Sequence, residues 1–148
     1  MKTVATEITI AAAPGQVWSV LTDFESYPQW NPFIRELSGE LRVGARLKLC
    51  IQLPGERALT FRPKLRTVAV GEELRWLGHL GFPGLFDGEH GFWIQSTGQN
   101  QVCLQQGERF SGILSRVWPQ VYYAKTCLGF EMMNRALKER VERLASRS

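Results

Sequence analysis

The feature that most constrains the fold is a helical period in the last part of the chain. Apolar residues recur there at spacings of three and four: Tyr123, Cys127, Phe130, Met133, Leu137, Val141 and Leu144. This pattern predicts one amphipathic helix over residues 121–144, about 36 Å long at the standard rise of an α-helix. Because such a helix must bury its apolar side, another part of the chain has to supply a large apolar surface.

The middle of the chain predicts that surface. Residues 34–114 consist of short alternating segments separated by turn residues, a pattern typical of an antiparallel meander, and residues 58–70 read as one of its strands. Before the meander we expect one strand, then a helix that begins near Pro14 and a second short helix or turn. The sequence therefore predicts an α+β fold. A curved antiparallel sheet of about six or seven strands would wrap around the long C-terminal helix, with two short helices after the first strand.

Length and composition predict a single soluble domain covering residues 1–148. No apolar run reaches the ~18 residues that a membrane span needs, and the N-terminus is too polar for a secretory signal, so we expect a cytoplasmic protein. The net charge of +4 comes largely from the C-terminal helix, where acids interleave with the bases. A solvated helix face explains this pattern better than a nucleic-acid partner does. The odd number of cysteines, without CxxC spacing, predicts free buried thiols.

Strand alternation places two ionisable side chains on one surface. His90 and Phe92 share the more apolar face of one strand. Gln106, Glu108 and Phe110 share the more apolar face of the next. Both faces are expected to look inward, so adjacent strands would bring His90 and Glu108 together. Within reach of one another, a carboxylate and an imidazole would each favour the other's charged form.

Three roles are open for this pair. His90 and Glu108 would orient a carbonyl or hydroxyl group of a ligand, or act as general base and acid on a ligand with an acidic proton. Alternatively, they would form a purely structural network with each other, with Asn134 or with Tyr123.

Other polar residues are expected to lie outside the interior. Asp87 and Glu89 follow a Gly- and Pro-rich segment, and Asp87-Gly88 is itself a common turn dipeptide. Alternation puts His79 on the outer face of its strand. The chain has only two histidines, no nucleophile elbow and no Gly-rich phosphate loop before a helix. The sequence therefore predicts no metal site and no cofactor, and it gives no support for nucleophilic catalysis or nucleotide binding.

Three segments of the chain resemble a known superfamily. They are "APGQVWSVLTDFESYPQWNPFI", "LRWLGHLGFPGLFDGEHGFWIQ" and "QQGERFSGIL" followed by "FEMMNRALKERVE". Residues 30–32, 84–90 and 107–112 carry most of the resemblance. Their content and order resemble the START-like, or polyketide-cyclase/dehydrase-like (SRPBCC), ligand-binding superfamily over essentially the whole chain, and in particular one of its bacterial branches. The resemblance implies the helix-grip fold, with an apolar cavity between the sheet and the long helix.

The same resemblance implies where the cavity wall lies. Trp30 and Phe33 would border the mouth and gate it, although a core anchor followed by a turn at Asn31 is the simpler interpretation of this segment. The Gly- and Pro-rich segment 81–86 would form a mobile lid. The remaining wall would come from Leu49, Ile51, Phe61, Leu65, Trp76, His90, Phe92, Glu108, Phe110, Tyr123, Cys127, Phe130 and Asn134. The alternative is a core filled by these aromatic side chains, with no cavity.

The functional prediction is a small-molecule binder that works as a monomer or weak dimer. Its ligand would be a small hydrophobic molecule, such as a lipid, an isoprenoid or an aromatic polyketide-like compound, with one polar group met by His90 and Glu108. A non-catalytic role is favoured over an enzyme. One alternative is a cyclase or dehydratase that uses the same pair as acid and base. The other is an interaction module of the chaperone-activator type, which would bind a protein partner through an exposed apolar patch.

Overall fold

The computed structural model describes residues 2–147 and has an α+β architecture. Two short helices follow the first strand, and the long helix closes the chain, as the sequence predicts. In chain order the elements are β1 (Lys2–Ile10), α1 (Pro14–Leu21), α2 (Tyr27–Trp30), β2 (Ile34–Ser38), β3 (Lys48–Ile51), β4 (Leu59–Phe61), β5 (Lys64–Ala69), β6 (Glu73–Leu80), β7 (Phe86–Gly98), β8 (Gln101–Ser111) and α3 (Gln120–Ala145). Short 3₁₀ turns at Phe24–Ser26 and Ile113–Arg116 precede α2 and α3.

The strands form two antiparallel ladders that together make the curved sheet. Five strands pair in the order β1-β8-β7-β6-β5, and three pair in the order β2-β3-β4. Residues 44–47 join the ladders by bonding to residues 63–65, for example from Leu47 N–H to the Pro63 carbonyl at 2.8 Å. The eight strands of residues 2–147 exceed the expected six or seven, because residues 58–70 form two strands rather than one. Pro63 has no N–H for a ladder, and the break between β4 and β5 falls on it.

Helix α3 packs its buried side against the inner face of this sheet, and its bounds match the predicted 121–144 closely. The side chains buried along it belong to Tyr123, Thr126, Phe130, Met133, Asn134, Leu137 and Val141. Two members of the predicted stripe are misplaced, since Cys127 is only half-buried and Leu144 is 44% exposed. Thr126 takes the inward position instead of Cys127. Its hydroxyl donates to the Tyr122 carbonyl at 2.8 Å, so a polar residue is tolerated on the packed side.

The turn at residues 31–34 fixes how the chain enters β2. The Asn31 side-chain oxygen accepts hydrogen bonds from the backbone N–H groups of Phe33 at 2.9 Å and Ile34 at 2.8 Å. This is the local turn chemistry for which Asn is suited, and it confirms the simpler interpretation of the segment. It also aims Phe33 at α3, where its ring meets Phe130 edge to face at 5.4 Å. A Cβ atom at Gly129 would overlap the Phe33 ring, so the glycine lets the helix approach this closely.

Candidate functional site

A cavity of about 680 Å³ lies between the two ladders and α3. The alternative of a core filled by aromatic side chains is therefore wrong. Nine of the predicted wall residues do line the cavity: Phe33, Leu49, Ile51, Phe61, Trp76, His90, Glu108, Phe110 and Tyr123. The alternation of side chains along β6, β7 and β8 correctly predicts the wall residues that belong to the five-stranded ladder. Which of the nine contact a ligand stays a prediction.

Sequence reasoning missed several wall residues. Phe86, Trp118 and Tyr122 line the cavity, and the Phe86 ring meets Trp118 edge to face at 4.5 Å. The apolar character of "FPGLF" and the turn before α3 was visible, but nothing local to those segments shows that they meet across the sheet. At the mouth, Glu56 of the β3–β4 loop pairs with Lys125 of α3 at 2.8 Å.

Three predicted wall residues lie in the packed core behind the cavity. Leu65, Phe92 and Phe130 are completely buried and do not border the open volume. The periodicity predicted their inward direction correctly, but it does not predict how deeply a side chain is buried. Asn134 is also buried behind the wall, in the polar network described below.

The predicted gate residues are anchored in the structure. Trp30 packs against the Tyr27 ring at 5.1 Å and does not border the cavity. Phe33 lines the cavity, but it is 2% exposed and held against Phe130. Trp30 therefore does not gate the cavity, because it does not border it, whereas gating by Phe33 stays a prediction. Cys127 is a further misplacement and lies outside the wall, with its thiol 3.4 Å from Glu131.

The segment at residues 81–86 lies beside the cavity, with Phe82 exposed and Phe86 in the wall. Two backbone hydrogen bonds tie it to the turn before α3, from the N–H groups of residues 113 and 114 to the carbonyls of Gly84 and Leu85, both at 2.9 Å. Its role as a lid stays a prediction. The true turn of this hairpin is here, where Gly81 and Gly84 have positive φ angles. Asp87 and Gly88 are consequently strand residues of β7, and the predicted Asp-Gly turn is wrong.

The outward-facing polar residues of β6 and β7 satisfy one another. The Asp87 carboxylate contacts His79 at 2.7 Å and accepts from the Gly84 N–H at 3.1 Å, while Glu89 pairs with Arg75 at 3.1 Å. The His79 ring also borders the cavity mouth. Across residues 2–147, no three side chains of the metal-ligating types come together. The three cysteines are free, as the sequence predicts. They are half-buried, however, whereas buried thiols were expected.

His90 lies in the interior and is 2% exposed. Its ring stacks on Phe92 at 4.9 Å and also packs against Trp76 and Phe130. Its Nε2 lies 2.9 Å from Oε1 of Gln106. Burial lowers the pKa of His90 from 6.5 to about 4, against a smaller opposing effect of the Gln106 hydrogen bond. The imidazole is therefore neutral at physiological pH.

A chain of buried polar groups leads away from His90. The Gln106 amide nitrogen lies 2.7 Å from the Asn134 side-chain oxygen and 3.4 Å from the Phe130 carbonyl. The Asn134 amide nitrogen lies 2.9 Å from the Thr6 hydroxyl, which lies 2.8 Å from the Gln106 carbonyl. The predicted structural network exists only in part: it contains His90 and Asn134, joined through Gln106, but neither Glu108 nor Tyr123 belongs to it. Its centre is Gln106, which sequence reasoning placed on the inner face without giving it a role.

Glu108 stands directly opposite His90 in the pairing of β7 and β8. The predicted proximity is confirmed, but the carboxyl Oε1 lies 3.9 Å from His90 Nδ1, too far for a hydrogen bond. Burial raises the pKa of Glu108 from 4.5 to about 8. The expectation that the pair promotes each other's charge is therefore wrong, because the loss of solvation outweighs their attraction.

The arrangement presents two neutral polar groups to an apolar cavity. Glu108 is a carboxylic acid that can donate a hydrogen bond, and His90 is an imidazole that can accept one at the nitrogen left free. Tyr123 does not join them, because its hydroxyl donates to the Ser115 carbonyl at 2.7 Å. A hydrophobic molecule with one polar group matches this combination.

Comparisons with known proteins agree with the fold and with the cavity. The family model described as "Polyketide cyclase / dehydrase and lipid transport" matches residues 1–148. A search of curated proteins found no match. Within residues 2–147, no helix is long and apolar enough to cross a bilayer.

Solved structures share the architecture over nearly the full chain. A START superfamily protein from Mycobacterium smegmatis is 25% identical, covers 96% of this chain and 98% of its own, and gives a TM-score of 0.77. The ZhuI aromatase/cyclase from Streptomyces sp. R1128 is 16% identical, with 96% and 94% covered and a TM-score of 0.74. Norcoclaurine synthase from Thalictrum flavum, solved with dopamine and hydroxybenzaldehyde, is 17% identical, with 95% and 86% covered and a TM-score of 0.71. The chain therefore belongs to the polyketide cyclase/dehydrase and lipid-transport family and has the START helix-grip fold.

Proposed function

We propose that this protein binds a small hydrophobic molecule in the cavity between its sheet and α3, with the polar group of that molecule held by His90 and Glu108. The observation that carries the proposal is the cavity itself. Its volume of about 680 Å³ falls within the range of roughly 300–1,000 Å³ typical of small-molecule sites. The family description, which names lipid transport, supports a lipid, an isoprenoid or an aromatic polyketide-like compound as the ligand.

The apolar side chains of the cavity wall support a ligand whose carbon skeleton carries no charge. Leu49, Ile51 and Phe61 contribute one apolar side, and Trp76 and Phe110 contribute the other. Burying an apolar ligand against such a surface is favourable by about 25 cal/mol for each Å² removed from water. The polar pair adds orientation, because only one end of the ligand can hydrogen-bond to it.

Native mass spectrometry of the purified protein tests this proposal, together with solvent extraction of whatever co-purifies with it. The variants are Glu108→Ala and His90→Ala. Glu89→Gln is the matched control, because Glu89 lies on the same strand as His90 but faces outward and pairs with Arg75. We expect a bound small molecule in the wild type and the control, and its loss or weakening in both cavity variants. Binding that is the same in all four proteins would contradict the role of the pair. A wild type that carries no ligand and takes up none from a host lipid extract would contradict the binding function.

A second candidate is acid–base catalysis by the same pair. One observation favours it: a protonated carboxyl and an unprotonated imidazole face the same cavity 3.9 Å apart. With a ketone ligand, His90 would take a proton from the carbon beside the carbonyl while Glu108 gives its proton to the carbonyl oxygen, forming an enol. The aromatase/cyclase and the synthase of the same fold give this candidate a precedent in architecture only.

Exchange of carbon-bound protons separates catalysis from binding. Incubation of 2-tetralone with the protein in D₂O, followed by ¹H NMR, measures enolisation directly. Catalysis predicts exchange above the buffer rate, with a pH profile that follows His90 and loss in His90→Phe. Binding without catalysis predicts the buffer rate in both proteins. We favour binding, because an imidazole with a pKa of about 4 is a weak base.

A further inference from the structure

One backbone carbonyl determines which group donates and which accepts in each hydrogen bond of the buried polar chain. The Gln106 backbone carbonyl can only accept, so the Thr6 hydroxyl donates to it. The Thr6 oxygen then accepts from the Asn134 amide nitrogen, and the Asn134 side-chain oxygen accepts from the Gln106 amide nitrogen. The Phe130 carbonyl, 3.4 Å from the same nitrogen, is a second group that can only accept. Both amides are therefore oriented by backbone carbonyls.

This orientation decides which nitrogen of His90 carries the proton. With its amide nitrogen turned toward Asn134, Gln106 presents its side-chain oxygen to His90 Nε2 at 2.9 Å. An amide oxygen only accepts, so Nε2 carries the hydrogen. A neutral imidazole has a single N–H, and Nδ1 is left as an acceptor. Nδ1 is the ring nitrogen that lies 3.9 Å from Glu108 Oε1.

Glu108 supplies the complementary group. Its side chain is 17% exposed to the cavity, and within residues 2–147 its carboxyl makes no hydrogen bond. One carboxyl oxygen lies over Gly88, where a Cβ atom would overlap it, so the strand leaves room for the acid. Burial keeps the carboxyl protonated through neutral pH by raising its pKa to about 8. A donor and an acceptor thus stand side by side on the wall without satisfying each other.

We propose that His90 and Glu108 together recognise a hydroxyl group, and that the ligand is therefore a hydrophobic alcohol or phenol. The hydroxyl oxygen accepts from the Glu108 carboxyl and donates to His90 Nδ1. A separation of 3.9 Å between the two atoms leaves room for one oxygen about 2.8 Å from each, which is a normal hydrogen-bond length. This inference deepens the proposed binding function and rests on it.

Other polar groups fit the pair less well. A ketone or an ether only accepts, so it uses Glu108 and leaves Nδ1 of His90 unpaired in an apolar site. A carboxylate or an ammonium brings a charge into a cavity whose two polar groups are neutral, which costs solvation energy without an ionic partner. A hydroxyl group is both donor and acceptor, and it satisfies both wall groups at once.

The titratable groups around Glu108 do not replace it as the donor. His90 faces it from β7, and Tyr123 faces the cavity from α3 with its hydroxyl bonded to the Ser115 carbonyl. Across the mouth, His79 is paired with Asp87, and an ion pair joins Glu56 to Lys125. Arg57 also lines the cavity, and Lys2 of β1 lies over the Tyr123 ring at 5.4 Å.

The test compares two probes of nearly equal shape. Isothermal titration calorimetry at pH 6.5 measures the Kd of 2-naphthalenemethanol and of its methyl ether for the full chain. We expect the alcohol to bind about tenfold tighter, because the ether cannot donate to His90. His90→Phe should reduce this preference to near one, because it removes the acceptor that only the alcohol can use. Glu108→Leu should instead weaken the binding of both probes, because both oxygens accept from the carboxyl. The outward-facing control Glu89→Gln should keep the preference.

A second variant separates hydrogen bonding from packing. In Glu108→Gln the side chain still donates, and it cannot ionise. This variant should bind the methyl ether equally well at pH 6.5 and pH 9.5, whereas the wild type should bind the ether more weakly at pH 9.5, where its ionised carboxyl no longer donates. In ¹⁵N NMR spectra at pH 6.5, His90 should be protonated at Nε2 and unprotonated at Nδ1. Circular dichroism of each variant establishes that it is folded before its Kd is compared.

The results distinguish this inference from the function on which it rests. Equal Kd values for the alcohol and the ether in the wild type, or a proton on Nδ1, overturn hydroxyl recognition and leave the binding function in place. Failure of both probes to bind, together with an empty protein in native mass spectrometry, overturns the binding function and the inference with it. A preference that disappears in His90→Phe, together with weaker binding of both probes in Glu108→Leu but not in Glu108→Gln, supports both.

Discussion

Replacing Glu108 by Gln should change how the stability of the protein depends on pH. Glu108 is protonated in the folded protein up to a pH of about 8, whereas in the unfolded chain it ionises near 4.5. Between these values the unfolded state has released a proton that the folded state keeps, so rising pH destabilises the wild type. Gln has the same length and stays neutral, so Glu108→Gln should lack this loss.

The size of the effect follows from the pKa. A rise from 4.5 to about 8 corresponds, at about 1.4 kcal/mol for each pH unit, to at most about 5 kcal/mol. The Glu108 side chain is 17% exposed, and solvent in the cavity reduces this penalty. We therefore expect the free energy of unfolding of the wild type to fall by about 3 kcal/mol relative to Glu108→Gln between pH 5 and pH 8. His90 acts in the opposite sense: its lowered pKa costs stability as pH falls from 6.5 toward 4. The wild type should therefore be most stable between about pH 4.5 and 6.5, where the two trends oppose each other.

Urea unfolding from pH 5 to pH 9 measures this directly for the wild type and for Glu108→Gln. Both proteins contain His90 and all the other titratable groups. The contributions of these groups cancel in the difference between the two free energies of unfolding, which leaves the contribution of Glu108. That difference should fall steadily from pH 5 to pH 8 and then level off. A difference that stays constant with pH would refute the reasoning. It would mean that Glu108 is already ionised in the folded protein at neutral pH and cannot serve as a donor.

Three further substitutions test features of the fold around the cavity. Asn31→Ala leaves two buried backbone N–H groups without their acceptor and should lower the free energy of unfolding by about 2–3 kcal/mol in urea titrations. Gly129→Ala places a methyl group against the Phe33 ring and should cost about 1–3 kcal/mol, whereas Gly15→Ala, with open space around its Cβ position, should change stability by less than about 1 kcal/mol. Equal effects at the two glycines would contradict the packing argument. Lys125→Met removes the ion pair at the cavity mouth and should change stability by less than about 1 kcal/mol, while amide hydrogen exchange in the β3–β4 loop becomes faster.

The sequence predicted the directions of side chains better than their depths. Alternation along β7 and β8 requires only the two-residue period of a strand, so it placed both His90 and Glu108 on the inner face correctly. The same period says nothing about what lies above a side chain. Phe92 therefore points inward as expected, but it is covered by its neighbours rather than exposed to the cavity.

The sequence pattern alone could not predict contacts between distant segments of the chain. Gln106 was on the predicted inner face, but its bond to Asn134 depends on where α3 crosses β8. The sequence also could not decide whether Glu108 is protonated, because protonation depends on burial, which a pattern of residue types does not measure. On α3, spacings of three and four allow either Thr126 or Cys127 to face the sheet, and only the packed structure decides between them.

In the proposed binding mode, the two ladders of the sheet have different tasks. His90 and Glu108, which are proposed to hold the polar atom of the ligand, belong to the five-stranded ladder, whereas Leu49, Ile51 and Phe61 belong to the three-stranded one. Volume changes in β3 and β4 can therefore alter which carbon skeletons fit while the hydrogen-bonding end stays intact. The same scaffold can thus diversify, by natural drift or in a designed library, toward ligands of different size that share one functional group.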